Sequence, residues 1–276
     1  MTSRADASEG SAIVPALRAK AAQLLESRAV AVVIGHENGT LGRRRPLLAR
    51  TAAEAGRLVH DEDCRHNLAV YVTKDDVRRL GRAAVVASPA VLRSLLRLAA
   101  ERQLRDGELL ALAPEGDGVR ELGSMAEIEA QLASSAAALA EADRAAIERL
   151  AAMTAAERRA FWAGELARCT RCYACRASCP LCYCTRCTMD CNRPQWVPVA
   201  SHGLGNLEYH LVRAMHLAGR CVECGSCGRA CPAGIPVHLL SAFAEESVRR
   251  HFGASGPGSG YALSTFRPDD RESFIR

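Results

Sequence analysis

The sequence predicts two folding units of different class: a small α/β domain with an N-terminal helix over residues 1–122, and an α+β domain over residues 168–250, joined by a helical connector over 123–167. Three observations predict this. Apolar runs of strand length alternate with helical segments in the first half. From Ser124 the chain turns rich in Ala and Glu and carries two helix-start signatures. Twelve of the thirteen cysteines fall between Cys169 and Cys231, with Cys64 the exception.

The elements follow in order. Residues 12–27 read as a short helix, and Ala29 to Ile34 as a buried strand that ends in a Gly35-His-Glu-Asn-Gly39 loop. Leu68 to Val72 is a second strand-like run, followed by Thr73 as an N-cap with Asp76 at N3 and a short helix closed by Gly81. Ala83 to Ala87 reads as a strand. Ser88-Pro89 then opens a helix to about Arg105, and Glu108 to Ala113 is a further strand. Such alternation implies a mostly parallel sheet. Ser124-Met-Ala-Glu127 and Thr154-Ala-Ala-Glu157 match capping boxes for two helices joined near Met153. The glycine- and serine-rich residues after Phe252 open a flexible tail over 251–276, whose Phe266 to Arg276 end is a candidate docking segment.

Bulk properties narrow the function classes. A net charge of +5 with only 4% aromatic residues gives no basic, aromatic-interleaved surface for nucleic acid. No apolar run reaches the roughly 18 to 20 residues that span a bilayer, so no direct membrane insertion is expected. Residues 1–10 lack the apolar core of a signal peptide, so the reading is cytoplasmic, where dense cysteine means metal rather than disulfides.

The cysteines themselves say which metal. Cys169-x2-Cys172-x2-Cys175-x3-Cys179-Pro180 recurs residue for residue as Cys221-x2-Cys224-x2-Cys227-x3-Cys231-Pro232. Three thiolates two residues apart wrap one corner of an iron-sulfur cube, and in two-cluster bacterial-type ferredoxins the fourth cysteine of each run reaches the other cluster. On that logic Cys169, Cys172, Cys175 and Cys231 hold one [4Fe-4S] cluster, and Cys221, Cys224, Cys227 and Cys179 the other. Structural zinc, the rival, prefers separated Cys-x2-Cys pairs. Cys182, Cys184, Cys187 and Cys191, between the motifs, suit either a third iron-sulfur centre or packed and redox-sensitive thiols.

Other features have bland readings beside the sharp ones. Arg171, Arg220 and Arg229 beside the motifs are candidates to tune cluster potentials. His202, His210 and His216 read as packing or surface residues, since His210 and His216 do not share a helix face. Trp196 would either shield a cluster or fill a core. The Gly35 to Gly42 loop follows a strand, where a phosphate could sit, but matches no phosphate-binding pattern. Arg43 to Arg45 read as a solvated basic loop or an anion contact, and lone Cys64 as a packed thiol.

The stretches Arg168-Cys-Thr-Arg-Cys-Tyr-Ala-Cys-Arg-Ala-Ser-Cys-Pro-Leu-Cys-Tyr-Cys184, Arg193-Pro-Gln-Trp196, Leu211 to His216 and Gly219 to Pro232 resemble the beta-subunit family of deazaflavin-dependent hydrogenases and formate dehydrogenases, most closely its heterodisulfide-reductase-associated relatives. The resemblance covers about residues 160 to 250, and extends weakly to Cys64-x2-Asn67-Leu-Ala-x-Tyr71. It implies an electron-transfer subunit whose partners are other redox subunits or a soluble carrier. The resemblance implies FAD as a further candidate cofactor, against which the family's Lys-Gly-Cys-Asp segment is missing after Ala83. A flavin-containing reductase subunit and a non-redox protein with structural clusters are the alternatives.

Overall fold

The computed structural model describes residues 12–133, 139–190 and 194–253. Helix α1 (Ile13–Glu26) leads into strand β1 (Val32–Asn38), followed by β2 (Arg44–Ala49), α2 (Ala52–Ala55), β3 (Leu58–Val59), α3 (Asp75–Arg78), β4 (Ala83–Val86), α4 (Pro89–Ala100), β5 (Leu109–Glu115) and β6 (Gly118–Leu122). The strands make one mixed sheet in the order β2-β1-β4-β5-β6, with β3 paired to β1. Only β1-β4 and β4-β5 are parallel, and β2, β3 and β6 are antiparallel additions that the strand-helix alternation did not reveal. The expected mostly parallel sheet is therefore a three-strand parallel centre with antiparallel margins.

Local chemistry explains most of the elements. Ser88 Oγ accepts from the Val91 amide and Pro89 sits in the first turn of α4, as the Ser-Pro pair requires. Pro46 is tolerated because β2 lies at the sheet edge. Two expectations fail for local reasons. Leu68–Tyr71 is a buried 3₁₀ turn rather than a strand, because Asn67 caps it by accepting from the Ala69 amide at 3.2 Å and donates to Ser94 Oγ at 2.9 Å. Lys74, not Thr73, is the N-cap of α3, and its side chain makes no capping bond.

The supposed loop after Ile34 is also corrected. Residues Gly35 to Asn38 continue β1, and a Cβ on Gly35 would stand 2.2 Å from Leu58 Cδ2, so the glycine serves close packing rather than a ligand. Arg44 and Arg45 lie on β2, where Arg44 donates to Asp61 at 2.8 Å and Arg45 to Glu37 at 2.9 Å. Arg44 is buried with its carboxylate, while the exposed Arg45 shares Glu37 with Arg57.

Beyond the sheet come α5 (Met125–Ala133), α6 (Glu141–Ala152), α7 (Ala155–Ala167), α8 (Ala174–Ala177), α9 (Gly203–Leu217), α10 (Ser226–Arg229) and α11 (Val237–Phe252). Both capping boxes form: Ser124 Oγ accepts from the Glu127 amide at 3.3 Å, and Thr154 Oγ1 from the Glu157 amide at 3.3 Å. The two helices expected there are three, with α6 inserted before Met153. The described residues of 168–250 carry helices and turns and no strand, unlike the expected α+β domain. The residues of the tail after 253 lie outside the described residues.

Two cores hold the chain. The first is the sheet with α1 and α4, and it reaches into the cysteine-rich half through Leu181, Leu217 and Val222. The second gathers Ile147, Leu150, Trp162 and Leu166 from α6 and α7 around Tyr209 of α9 and Leu239 of α11.

Candidate metal centres

Each cysteine motif hangs from the end of a long helix. Helix α7 ends two residues before Cys169, and α9 ends four before Cys221. Between the cysteines the backbone makes the same turn twice: Arg171 and Tyr173 in the first motif, Glu223 and Gly225 in the second, all have positive φ, between 55° and 68°. The turn aims a backbone amide inward at the first sulfur of each motif. Arg171 N–H donates to Cys169 Sγ at 3.4 Å and Glu223 N–H to Cys221 Sγ at 3.4 Å. Left-handed backbone at a non-glycine residue costs about 1–3 kcal/mol and persists where surrounding structure over-determines it. Here Arg171, Tyr173 and Glu223 bear it to form anion-binding nests.

After each nest a single-turn helix carries the third cysteine, Cys175 in α8 and Cys227 in α10, and a Cys-Pro pair follows. The eight cysteines then sort into two cavities. One, of about 350 Å³ including its mouth, is lined by Cys169, Cys172, Cys175 and Cys231. The other, of about 460 Å³, is lined by Cys179, Cys221, Cys224 and Cys227. The last cysteine of each motif thus lines the cavity of the other motif. Among the described residues no three His, Cys, Asp or Glu side chains converge tightly enough to hold a single ion. The four thiols of each cavity surround a volume rather than a point.

Helix α9 supplies the polar wall. Asn206, Tyr209, His210 and Arg213 recur at helical spacing along its buried stripe. Asn206 Nδ2 donates to the Cys169 carbonyl at 2.9 Å and to the Leu166 carbonyl at 3.1 Å, while its Oδ1 accepts from Arg171 Nε at 2.9 Å. His210 Nε2 lies 3.4 Å from Cys169 Sγ, and Tyr209 Oη 3.8 Å from Cys175 Sγ. Burial pushes the thiols of Cys175, Cys221 and Cys227 up, Cys227 to about 12. Desolvated thiols of this kind are deprotonated outright when a metal coordinates them.

Of the three arginines expected to tune potential, Arg171 directs its guanidinium to uncharged acceptors, namely Asn206 Oδ1 and the Pro198 and Gly205 carbonyls. Arg229 donates to the Cys224 and Arg65 carbonyls. Arg220 is instead neutralised by Glu101. His210 is buried at Cys169 and His216 is exposed, so the two do occupy different faces, while His202 caps α9. Trp196 is 64% exposed and shields neither cavity. Cys64 is packed near Asp61, and burial raises it to about 12.

Cys182, Cys184 and Cys187 line a third, wider pocket of about 1010 Å³ against α9, beside Met189, Arg213 and His216. Cys191 lies outside the described residues. Cys182 turns toward Cys179, whose hydrogen bond holds it down at about 7.

No family model matches the chain. A stretch of 80 residues, 29% of the chain, is 34% identical to part of a curated protein of Methanocaldococcus jannaschii, the beta subunit of an F420-dependent formate dehydrogenase. The likeness is to part of an oxidoreductase subunit, over that stretch alone. It takes in 20% of the relative, so the chain spans about a fifth of that protein's length. No described helix is long and apolar enough to cross a membrane.

Sequence reasoning missed the α9 wall. The signal was present, as Asn206, Tyr209, His210 and Arg213 follow the i, i+3, i+4, i+7 spacing of a buried stripe. Polar residues on such a stripe need partners, and here the partners are the first and third cysteines of the first motif.

Proposed function

We propose that this chain is an iron-sulfur electron-transfer subunit of a multi-subunit redox enzyme of the hydrogenase, formate dehydrogenase or heterodisulfide-reductase type. Cys169, Cys172, Cys175 and Cys231 would hold one [4Fe-4S] cluster, and Cys221, Cys224, Cys227 and Cys179 the other. The observation that carries this reading is the crossed lining of the two cavities, each with three cysteines of one motif and the last of the other.

The donor set fits. Four thiols around a volume, with a backbone N–H on the first sulfur of each motif, suit a polynuclear cluster better than a zinc ion. When bound, such clusters supply one-electron transfer. The chain's own residues fix the sulfurs through the left-handed nests, exclude water with Tyr209, Ile235 and Val222, and set the local charge. Full cysteine ligation leaves no position for substrate, so the subunit relays electrons between a partner and another carrier. The relative's description supports a partner of the dehydrogenase kind.

The test is anaerobic iron and acid-labile sulfide analysis with EPR of the reduced protein, isolated with whatever co-purifies. About eight irons with two interacting [4Fe-4S] signals support the proposal, and about twelve would add a third centre at Cys182, Cys184, Cys187 and Cys191. C179A should weaken the same signal as C221A, and C231A the same signal as C172A. Zinc without sulfide sinks the reading, and a bound flavin would move it to a reductase subunit.

A further inference from the structure

Arg213 lines the second cavity and the pocket of Cys182, and reaches the wall of the first cavity through one hydrogen bond. It is 7% exposed, and its guanidinium donates to the Cys175 carbonyl, on the first cavity, at 3.2 Å. The same side chain lines the second cavity together with Cys179, Cys221 and Cys227. Its Nε is buried and makes no hydrogen bond, and among the described residues no carboxylate pairs with it.

A buried guanidinium without a counter-charge costs several kcal/mol. Arg220, seven residues on, meets that need with Glu101. Arg213 has the Cys175 carbonyl and the thiols of the second cavity around it in place of a carboxylate, so thiolates held by a cluster would supply its counter-charge.

We infer that Arg213 is the shared counter-cation of both centres, a positioning residue that raises both reduction potentials and lets two reduced centres stand side by side. The inference rests on the two-cluster reading above. Each reduction brings in one electron from a one-electron carrier, takes up no proton and leaves the site one unit more negative. A fixed positive charge in a low-dielectric wall beside the sites favours that change at both. It also offsets the repulsion between them.

The experiment is an anaerobic EPR-monitored redox titration of the full chain, with its partners if they co-purify, as wild type, R213K and R213Q, with iron and sulfide measured in each. The expected result is that R213Q keeps its iron and both midpoint potentials fall, while R213K titrates close to wild type. Unchanged potentials in an iron-replete R213Q, or a shift in one centre alone, overturn the shared role. If R213Q loses its iron, R213K decides. Loading with near wild-type potentials upholds the charge requirement, and failure to load or shifted potentials overturns it. A wild type without iron-sulfur clusters sinks the two-cluster reading itself, which separates that failure from failure at Arg213.

Discussion

Glu101, the residue that closes α4, and Arg220, the residue before Cys221, form a two-pronged ion pair across the seam between the sheet and the cysteine-rich half. Arg220 Nε donates to Oε1 at 2.6 Å and Nη2 to Oε2 at 2.5 Å, and Tyr183 Oη donates to the same carboxylate at 2.8 Å. Both side chains are largely buried, at 5% and 14% exposed. Removing one partner of such a pair strands the other charge.

E101L should therefore lower stability by about 3–5 kcal/mol, read by anaerobic denaturant unfolding. Replacing both residues removes the stranded charge, so E101L/R220M should cost clearly less than the sum of the singles. Additive single losses would show that the pair is not coupled.

Asn206 is fully buried and serves the Leu166 and Cys169 carbonyls and Arg171 at once. N206L keeps the volume but strands Arg171 Nε, at about 1–3 kcal/mol for a buried unsatisfied group, while the Leu166 carbonyl keeps the Cys169 amide and the Cys169 carbonyl keeps Ser201 Oγ. Expected are a lower thermal midpoint and loss of the EPR signal assigned to Cys169, Cys172 and Cys175 before that of the second motif. Equal loss of both signals would count against a local role.

Gly228 follows Cys227 with His238 pressed over it. A Cβ there would stand 2.0 Å from His238 Nδ1, and the ring is tethered through Nε2 to Asp143 at 3.1 Å. G228A should cost about 1–3 kcal/mol by overpacking. The double variant G228A/H238A should recover most of that loss, and a double variant no better than G228A would show that the cost lies in the backbone.

His36 on β1 is buried beside His60 and His66, and desolvation brings it down from 6.5 to about 4. The unfolded chain binds its proton near 6.5 and the folded chain only near 4, so stability falls as pH drops through that window and is unaffected by this group above it. The shift corresponds to a loss of about 3 kcal/mol by pH 4. H36N should flatten the fall in thermal midpoint between pH 7 and pH 5 relative to wild type. Parallel profiles would remove His36 from the acid response.

What was legible in the sequence was chemistry that needs fixed spacing or a local bond. Ser88-Pro89 and the Ser124 and Thr154 boxes close hydrogen bonds within three residues, so their helices could be read before any tertiary contact was known. The strands β2, β3 and β6 were not legible, because antiparallel edge pairing depends on which strand is already beside them. Arg44-Arg45-Pro46 carries no alternation of its own. Leu68 to Val72 has a strand's composition, but the Asn67 side chain and Ser94 on α4 decide that it turns instead.

By itself the sequence determined the two cysteine motifs and their repeat, because thiol spacing sets which sulfurs can surround one volume. The motif spacing already implied the crossing of Cys179 and Cys231; the tertiary structure alone decided that α9 sets Arg213 against the second cavity and the Cys175 carbonyl, and that Glu101 rather than solvent meets Arg220. Those pairings join residues far apart in the chain. Burial creates them by leaving each buried charge or thiol only the neighbours that packing provides.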